Sequence, residues 1–206
     1  QLVKWGIVQN FALYDELEVI PNIFFFFLIM ELFIVNAEEK GITLKCHGLE
    51  GSYLTWLDAD KLEKIINNLM SNAMKFTPYG GKIDVYLDTE LDKHGMQWIQ
   101  ITVADTGRGI PEKELGNIFK RYYQLNNQSA GSINWGTGIG LYYARSLAIL
   151  HHGMLTAGNR KECQGAIFTL KLPTQENFYS DTEKTDLAGD QKMKLPSNDK
   201  SVIINK

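Results

Sequence analysis

The clearest hydrophobic pattern in the chain lies between residues 60 and 77, where apolar side chains recur at helical spacing. The predicted helix has one broad apolar face: Leu62, Ile65, Ile66, Leu69, Ala73 and Phe76. Its other face is polar: Lys61, Lys64, Asn68, Asn72 and Lys75. Asp60, with Glu63 three residues later, predicts the cap at the start of this central helix, and Thr77-Pro78 before Gly80-Gly81 predicts its end.

Alternating patterns predict strands on both sides of the central helix. Before it we expect strands at residues 11–19, 42–46 and 53–57, with a helix that starts at Pro21-Asn22 and stops at Gly41. After it, residues 83–87 and 99–103 alternate and predict a hairpin around the polar turn 93–95. This order of elements is typical of an α+β fold in which helices cover one face of a mixed sheet.

Length and composition restrict the picture further. The 206 residues, 44% of them hydrophobic, are enough for one substantial core, and the polar, aperiodic residues 174–206 are typical of a linker or tail. A formal net charge of −3 gives no electrostatic footprint for nucleic acid. Cys46 and Cys163 lack the spacing of a metal site and indicate a reducing compartment.

Nothing in the hydrophobic pattern predicts a membrane segment. The apolar run 23–35 contains Glu31 and is shorter than the ~20 residues that a bilayer span requires. We therefore expect it to be a buried helix. Residues 1–9 lack the apolar region of a signal peptide, so we expect a cytoplasmic location. A membrane anchor elsewhere in a full-length protein would be compatible with this location.

Two asparagines give the polar face of the central helix a candidate chemistry. Asparagine is a mediocre helix former, so a merely solvated face does not need two of them. Asn68 and Asn72 lie one turn apart beside Lys75, an arrangement of oxygens and a cation that suits hydrated Mg²⁺ and the phosphates it bridges. A plain polar surface remains the alternative for this pattern alone, and two glycine motifs downstream favour the metal site.

The first glycine motif, residues 105–111, directly follows the strand at 99–103. Asp105 offers a carboxylate acceptor beside Gly107 and Gly109, where the backbone can approach a ligand closely. The exocyclic amine of adenine is a natural donor for this carboxylate. An ordinary Asp-x-Gly turn is the alternative. Pro111 then predicts the start of a helix over residues 113–123.

The second glycine motif, residues 136–141, opens a predicted helix over residues 141–152. Free N–H groups and the dipole at such a helix start can receive phosphate. The motif resembles a dinucleotide fingerprint, but no apolar strand precedes it. The polar loop 124–135 before it has the composition expected of a lid over a ligand.

Taken together, these motifs resemble the Bergerat-fold ATPases over residues 13–173. Five segments resemble the family's motifs in its order and spacing. Residues 68–77 resemble the N box, 105–109 the first glycine box, 118–122 the F box, 136–141 the second glycine box and 165–173 the closing strand. Within that family the match is to the catalytic ATP-binding domain of a sensor histidine kinase. The resemblance implies a two-layer α/β sandwich with a mixed, mostly antiparallel sheet and a flexible ATP lid.

The resemblance also implies a domain organisation and a function. Residues 1–10 would end a dimerisation helix, residues 11–173 would form the catalytic domain, and residues 174–206 would lead towards a receiver domain of a hybrid kinase. The chain would bind Mg²⁺-ATP and donate the γ-phosphoryl group to a histidine on a dimerisation domain outside it, within two-component phosphorelay signalling. We expect this chain to be monomeric.

Particular residues receive roles from the resemblance. Asn72 would hold Mg²⁺, with Asn68 lining the same site, and Asp105 would read adenine. Catalysis would rest on Asn68, with Lys75 and Arg121 at the phosphates. The remaining nucleotide-binding residues implied are Gly107, Gly109, Ile110, Gly136, Thr137, Gly138, Ile139, Gly140, Leu141 and Thr169.

Two departures from the family pattern leave alternatives open. Gln124 stands where the family commonly has an arginine, and no histidine followed by an acidic residue marks a phosphoacceptor. A nucleotide-binding interaction module without phosphotransfer is therefore one alternative. An ATP hydrolase of the gyrase, mismatch-repair or chaperone branch is another, but those relatives use a glutamate to activate water where Asn68 stands, and an amide is no base.

Overall fold

The structure is a computed structural model that describes residues 22–48, 58–125 and 137–174. The helices and strands of these ranges are α1 (Asn22–Glu39), β1 (Thr43–His47), α2 (Ala59–Phe76), β2 (Lys82–Leu91), β3 (Gln97–Asp105), α3 (Gly140–Leu150), β4 (Met154–Asn159) and β5 (Ala166–Pro173), with a single 3-10 turn at Glu112–Glu114. The strands expected at residues 11–19 and 53–57 lie outside the described ranges.

The described strands form one sheet in the order β1-β2-β3-β5-β4. β1 runs parallel to β2, whereas the β2–β3, β3–β5 and β4–β5 pairs are antiparallel. This arrangement confirms the expected α+β fold with a mixed, mostly antiparallel sheet. Because β3 is the middle strand and Asp105 is its last residue, Asp105 lies at the centre of one end of the sheet.

One face of the sheet packs against α2 and forms the core. Strand alternation turns every second residue of β2, β3 and β5 to this face, and burial of each such side chain contributes roughly 1.5–3 kcal/mol. The buried strand residues include Ile83, Val85, Leu87, Ile99, Ile101, Val103, Phe168, Leu170 and Leu172. The buried residues of α2 are Leu62, Ile65, Ile66, Leu69, Met70, Ala73 and Met74.

The end of α2 at Phe76, capped by Thr77, agrees with the sequence-based expectation, whereas its beginning differs. The helix begins at Ala59 because the side chain of Asp58 caps it, with Oδ1 accepting from the Lys61 N–H at 2.9 Å. Asp60 lies instead in the first turn, where its charge complements the helix dipole. Phe76, expected in the core, is 36% exposed, and its ring lies beside the Lys75 and Arg108 cations.

The helix expected over residues 113–123 is not formed. Only Glu112–Glu114 adopts a 3-10 turn, and irregular turns follow it. Gly116 and Asn117 disfavour a helix there, and Tyr122 is held in the left-handed region at φ 64°. The apolar residues Ile118 and Phe119 are nevertheless buried, so their spacing indicated burial and not helical structure.

The other two helices agree with expectation. α1 begins at Asn22 and ends before Gly41, whose φ of 62° suits a helix C-terminus, and Phe26, Ile29 and Met30 from its apolar run are buried. α3 begins one residue earlier than expected, at Gly140. Within the part of the chain that the structure describes, no helix is both long and apolar enough to cross a membrane.

Candidate nucleotide-binding site

The polar side of α2 meets the second glycine motif at Asn68. The Asn68 Nδ2 donates to the Lys64 carbonyl at 2.7 Å, one turn earlier in the helix. Its Oδ1 reaches the start of α3, where a Cβ placed on Gly140 would lie only 2.4 Å from it. Glycine at position 140 therefore leaves room for the Asn68 side chain, which would have to shift if a Cβ were present.

The first glycine motif meets the same helix two turns further on. A Cβ on Gly107 would lie 2.4 Å from the Phe76 carbonyl oxygen and 2.8 Å from Asp105 Oδ1. The loop after β3 thus contacts the C-terminal end of α2, and glycine is required there. Asn72 lies one turn from Asn68 and one turn from Phe76, so it is placed between the two contacts.

Asp105 is a buried carboxylate at the end of the central strand, with an exposed fraction of 3%. Its Oδ1 accepts from the N–H groups of Gly107 at 2.8 Å and Ala166 at 3.3 Å. Burial raises the pKa of the Asp105 carboxyl, and these two N–H groups oppose the rise only in part. Since both donors bind Oδ1, Oδ2 can accept a hydrogen bond from a ligand.

The loop that follows Asp105 is pinned to the neighbouring strands. The Asn159 side chain accepts from the Ile110 N–H at 2.8 Å and donates to the Ile110 carbonyl at 2.6 Å. The Gln164 Nε2 donates to the Arg108 carbonyl at 3.1 Å. Gly109, between these two positions, adopts a φ of 71°, which favours glycine. Asn159 was missed from the sequence because it lies 49 residues from Ile110 and belongs to no glycine motif.

Two cations share one aromatic ring beside this loop. The Lys75 Nζ and the Arg108 Cζ each lie 4.9 Å from the centroid of the Phe76 ring. Burial first, and the Arg108 charge second, lower the pKa of Lys75. Arg108 was also missed from the sequence, although its place between two glycines of the motif was a signal that could have found it.

The segment after the 3-10 turn joins the second glycine motif. The Tyr122 N–H donates to the Gly138 carbonyl at 2.9 Å, and a Cβ on Gly138 would lie 2.7 Å from the Tyr122 carbonyl carbon. The Arg121 guanidinium lies over the Tyr122 ring, 4.8 Å from its centroid. Arg121 therefore lies next to the second glycine motif, because its guanidinium lies over Tyr122, the residue that contacts Gly138.

The remaining predicted residues of the second motif surround the beginning of α3. Thr137 is exposed and Ile139 precedes the first helical residue, while Leu141 is partly buried against the core. Gly136 lies outside the described residues. The structure thus brings residues 137–141 together with Asn68 and with Tyr122.

Thr169 is the one described candidate that the structure does not bring to the others. Its β5 position pairs with Thr102, whereas Phe168 beside it pairs with Val103 on the core face. Because side chains alternate along a strand, Thr169 lies on the sheet face opposite to Asp105. The contribution of β5 to the Asp105 end comes from the Ala166 N–H instead.

The donor set suits a magnesium ion that arrives with a nucleotide. Among the described residues, no group of three His, Cys, Asp or Glu side chains could hold a metal ion. Mg²⁺ commonly keeps several water ligands and takes only one or two oxygens from the protein, with phosphates supplying others. The amide oxygens of Asn68 and Asn72 fit such a partial set and would not form a complete metal cage.

Comparison with known proteins identifies the family of this chain. The sequence model of a family described as histidine kinase-, DNA gyrase B-, and HSP90-like ATPase matches residues 57–176. The sensor histidine kinase TmoS of Ectopseudomonas mendocina is 41% identical over 137 residues, which cover 66% of this chain and 13% of that protein. The hybrid signal transduction histidine kinase D of Dictyostelium discoideum is 38% identical over 154 residues, 73% of this chain and 10% of that protein.

The solved catalytic domain of the histidine kinase ThkA, in a nucleotide-free form, has the same fold. The TM-score is 0.60 at 22% identity, and the match covers 73% of this chain and 90% of that domain. The chain spans only about a tenth of the length of the two curated relatives. With the family model matching more than half of its residues, the chain belongs to the histidine kinase-, DNA gyrase B- and HSP90-like ATPases, as a catalytic domain of the sensor histidine kinase type.

Proposed function

We propose that this chain binds Mg²⁺-ATP along the polar side of α2 and donates the γ-phosphoryl group to a histidine on a dimerisation domain outside residues 1–206. One observation carries the proposal: both glycine motifs contact α2, at Asn68 and at Phe76, and Asn72 lies between them. Elements that are far apart in sequence therefore converge on one helix, on either side of Asn72.

The adenine lies at the Asp105 end of this site. Asp105 Oδ2 accepts from the exocyclic amine, while Gly107, Gly109 and Ile110 bring the backbone of the loop close to the base. Support comes from the burial of Asp105 and from the two N–H groups that fix its other oxygen. A fixed, buried carboxylate selects a ligand that presents a donor, because an unpaired buried acceptor is unfavourable.

The phosphates extend along α2 towards α3. Lys75 and Arg121 supply positive charge, and residues 136–141 offer backbone N–H groups at a helix start. Asn72, with Asn68 beside it, would hold Mg²⁺, which neutralises phosphate charge when it is bound. Phosphoryl transfer depends mostly on positioning and electrostatic stabilisation, which amide oxygens and cations can provide without a base.

The hydrolase and the binding-only alternatives differ in what supports them. The Asn68 amide is already bonded to the Lys64 carbonyl and cannot take a proton from water, so hydrolysis is not proposed. A module without transfer remains a second candidate, since Gln124 is an uncharged, exposed residue after the F-box aromatics. Transfer to a supplied histidine distinguishes it from the kinase.

The partners and location follow from the same proposal. His47 ends β1, His94 lies in the β2–β3 turn, and His151-His152 follow α3, so none has the helix setting of a phosphoacceptor. The whole protein would add a dimerisation domain and, as a hybrid kinase does, a receiver domain. It would work in the cytoplasm, where ATP is available.

The test uses ATP labelled at the γ-phosphate and a dimerisation domain from a sensor kinase relative, supplied as a separate polypeptide. We expect acid-labile label on that domain only when the chain, Mg²⁺ and ATP are all present. A domain with its phosphoacceptor histidine changed to alanine is the control. Label that accumulates on the chain alone contradicts the proposal, and ATP binding without transfer supports the binding-only module instead.

A further inference from the structure

The backbone of Arg108 is fixed from two sides. On one side, Gly107 lies against the Phe76 carbonyl so closely that no Cβ could fit between them. On the other side, the Arg108 carbonyl accepts from the Gln164 Nε2 at 3.1 Å. These two contacts hold the residue between α2 and the loop before β5, and its guanidinium lies over the Phe76 ring.

The Phe76 ring places the Arg108 guanidinium and the Lys75 ammonium in one neighbourhood. Both cations lie 4.9 Å from its centroid, although two positive charges repel each other. The repulsion contributes to the lowered pKa of Lys75. A polyanion bound beside the ring would be attracted by both cations. A guanidinium that lies over a ring also keeps its N–H donors at its edge, where they can bind phosphate oxygens.

From this geometry we propose that Arg108 is a third phosphate-binding cation of the nucleotide site, besides Lys75 and Arg121, which acts with Lys75 on the polyphosphate and is positioned by the Phe76 ring. The inference rests on the proposed function, because it requires the nucleotide to lie along the polar side of α2. It assigns a binding role to a position of the first glycine motif at which the motif does not specify the residue type.

The test measures the affinity of the 206-residue chain for ATP, ADP, AMP and adenosine by calorimetry. Arg108→Met removes the charge but keeps an unbranched apolar stem over Phe76. We expect it to weaken ATP about five- to twentyfold, ADP less, AMP by no more than about twofold, and adenosine not at all. Arg108→Lys should recover part of the loss, because it restores the charge without the planar fork.

A dependence on salt provides a second readout. Removal of a phosphate-binding cation should lessen the decline of ATP affinity with rising ionic strength, which a purely structural role of Arg108 would not do. Lys93→Met is the matched control, since it removes one exposed cation at the β2–β3 turn, at the opposite end of β3 from Asp105. Its ATP affinity should equal that of the unchanged chain.

The possible results separate this inference from the proposed function. If Arg108→Met binds ATP as the unchanged chain does while Lys75→Met binds it more weakly, Arg108 is not a phosphate ligand and the nucleotide site stands. An equal loss for ATP and adenosine in a variant that still melts cooperatively assigns Arg108 a structural role and overturns the inference. Absence of any adenine-nucleotide binding by the unchanged chain overturns both.

Discussion

The two sides of α2 are made of different residues and meet different partners. The apolar side, with Ile65, Leu69 and Ala73, is fully buried against the sheet. The polar side, with Asn68 and Asn72, is only partly buried. Asn68 meets the start of α3 at Gly140, and the loop of the first glycine motif meets the last residue of the helix. One side is packed by regular secondary structure, whereas the other is approached by irregular backbone through glycines.

The difference separates residues that determine the fold from residues that form the site, although both belong to one helix. Burial of a leucine contributes to stability whatever ligand is present. An amide on a partly solvated face contributes little to stability, but it has a fixed position because the opposite face is packed. Mutations on the two sides should therefore affect different measurements, and we order three of them by their expected effect on stability.

Leu69→Ala should have the largest effect on stability. The change leaves a cavity between α2 and the sheet at a fully buried position and should lower the free energy of unfolding by about 2–5 kcal/mol. Nucleotide affinity should decline only to the extent that the domain unfolds. Urea titrations followed by circular dichroism measure the first quantity, and calorimetry with ADP on the folded fraction measures the second.

Leu91→Ala is the control for this comparison, since Leu91 ends β2 and is mostly exposed. It should change stability by about 0.5 kcal/mol or less. If Leu69→Ala weakens ADP binding tenfold at a temperature where it remains folded, the two sides of α2 are coupled through the native state and the separation argued above is wrong.

The sequence predicted the fold well because regular alternation records burial directly. The β2–β3 hairpin and, apart from Phe76, the apolar side of α2 have the expected residues in the core. The helix prediction for residues 113–123 was wrong because irregular turns can bury apolar residues as a helix does. The spacing of apolar residues alone could not distinguish the two structures. The predicted cap, Asp60, lies two residues after the observed cap, Asp58. The two aspartates are equivalent in the sequence pattern, and only the hydrogen bond to the Lys61 N–H identifies Asp58.

The site was predicted only where residue type determines function. Close approaches at Gly107 and Gly140 are visible in the sequence as glycines within motifs. Asn159 and Arg108 were not found because their roles depend on contacts with residues distant in sequence. Thr169 was assigned from its motif, and strand alternation places it on the other face of the sheet.

Asn72→Ala tests the polar side and should have a small effect on stability. Alanine is the better helix former and the side chain is not in the core, so the free energy of unfolding should change by about 0.5 kcal/mol or less. The Mg²⁺-dependent part of ATP affinity and transfer to a supplied dimerisation domain should be lost. Nucleotide binding without Mg²⁺, through Asp105, should persist.

Asn67→Ala is the matched control, because it removes the same amide from a position that faces a different direction on α2, where Nδ2 lies 3.4 Å from Glu63 Oε1. Its ATP affinity should not change with or without Mg²⁺. Should Asn72→Ala retain full Mg²⁺-ATP binding and transfer, Asn72 is not the metal ligand and the polar side of α2 is not the site.

Asp105→Asn challenges the comparison most directly, because Asp105 is buried on the core face of the sheet and yet is assigned to binding. An asparagine oxygen can still accept from the Gly107 and Ala166 N–H groups, so packing is kept and stability should not fall. ADP affinity should decline about ten- to a hundredfold, or roughly 1.5–3 kcal/mol, because an amide donor then faces the adenine amine. The affinity for IDP, whose base lacks that amine, should decline less.

The raised pKa of Asp105 adds a dependence on pH whose sign can be stated. Burial disfavours the ionised form in the folded chain, so Asp105 lowers stability near neutral pH, and this effect disappears as pH falls through the raised pKa. Any stability advantage of Asp105→Asn should therefore be present at pH 7 and shrink on acidification.

ADP binding follows the opposite course, because adenine requires the carboxylate as acceptor. The ratio of ADP affinities, unchanged chain over Asp105→Asn, should thus fall as pH decreases and should begin to do so above the ordinary aspartate range. A ratio that stays constant as pH is lowered through the ordinary aspartate range would mean that Asp105 does not bind the base. Asp88→Asn, an exposed carboxylate on β2, should show no such dependence.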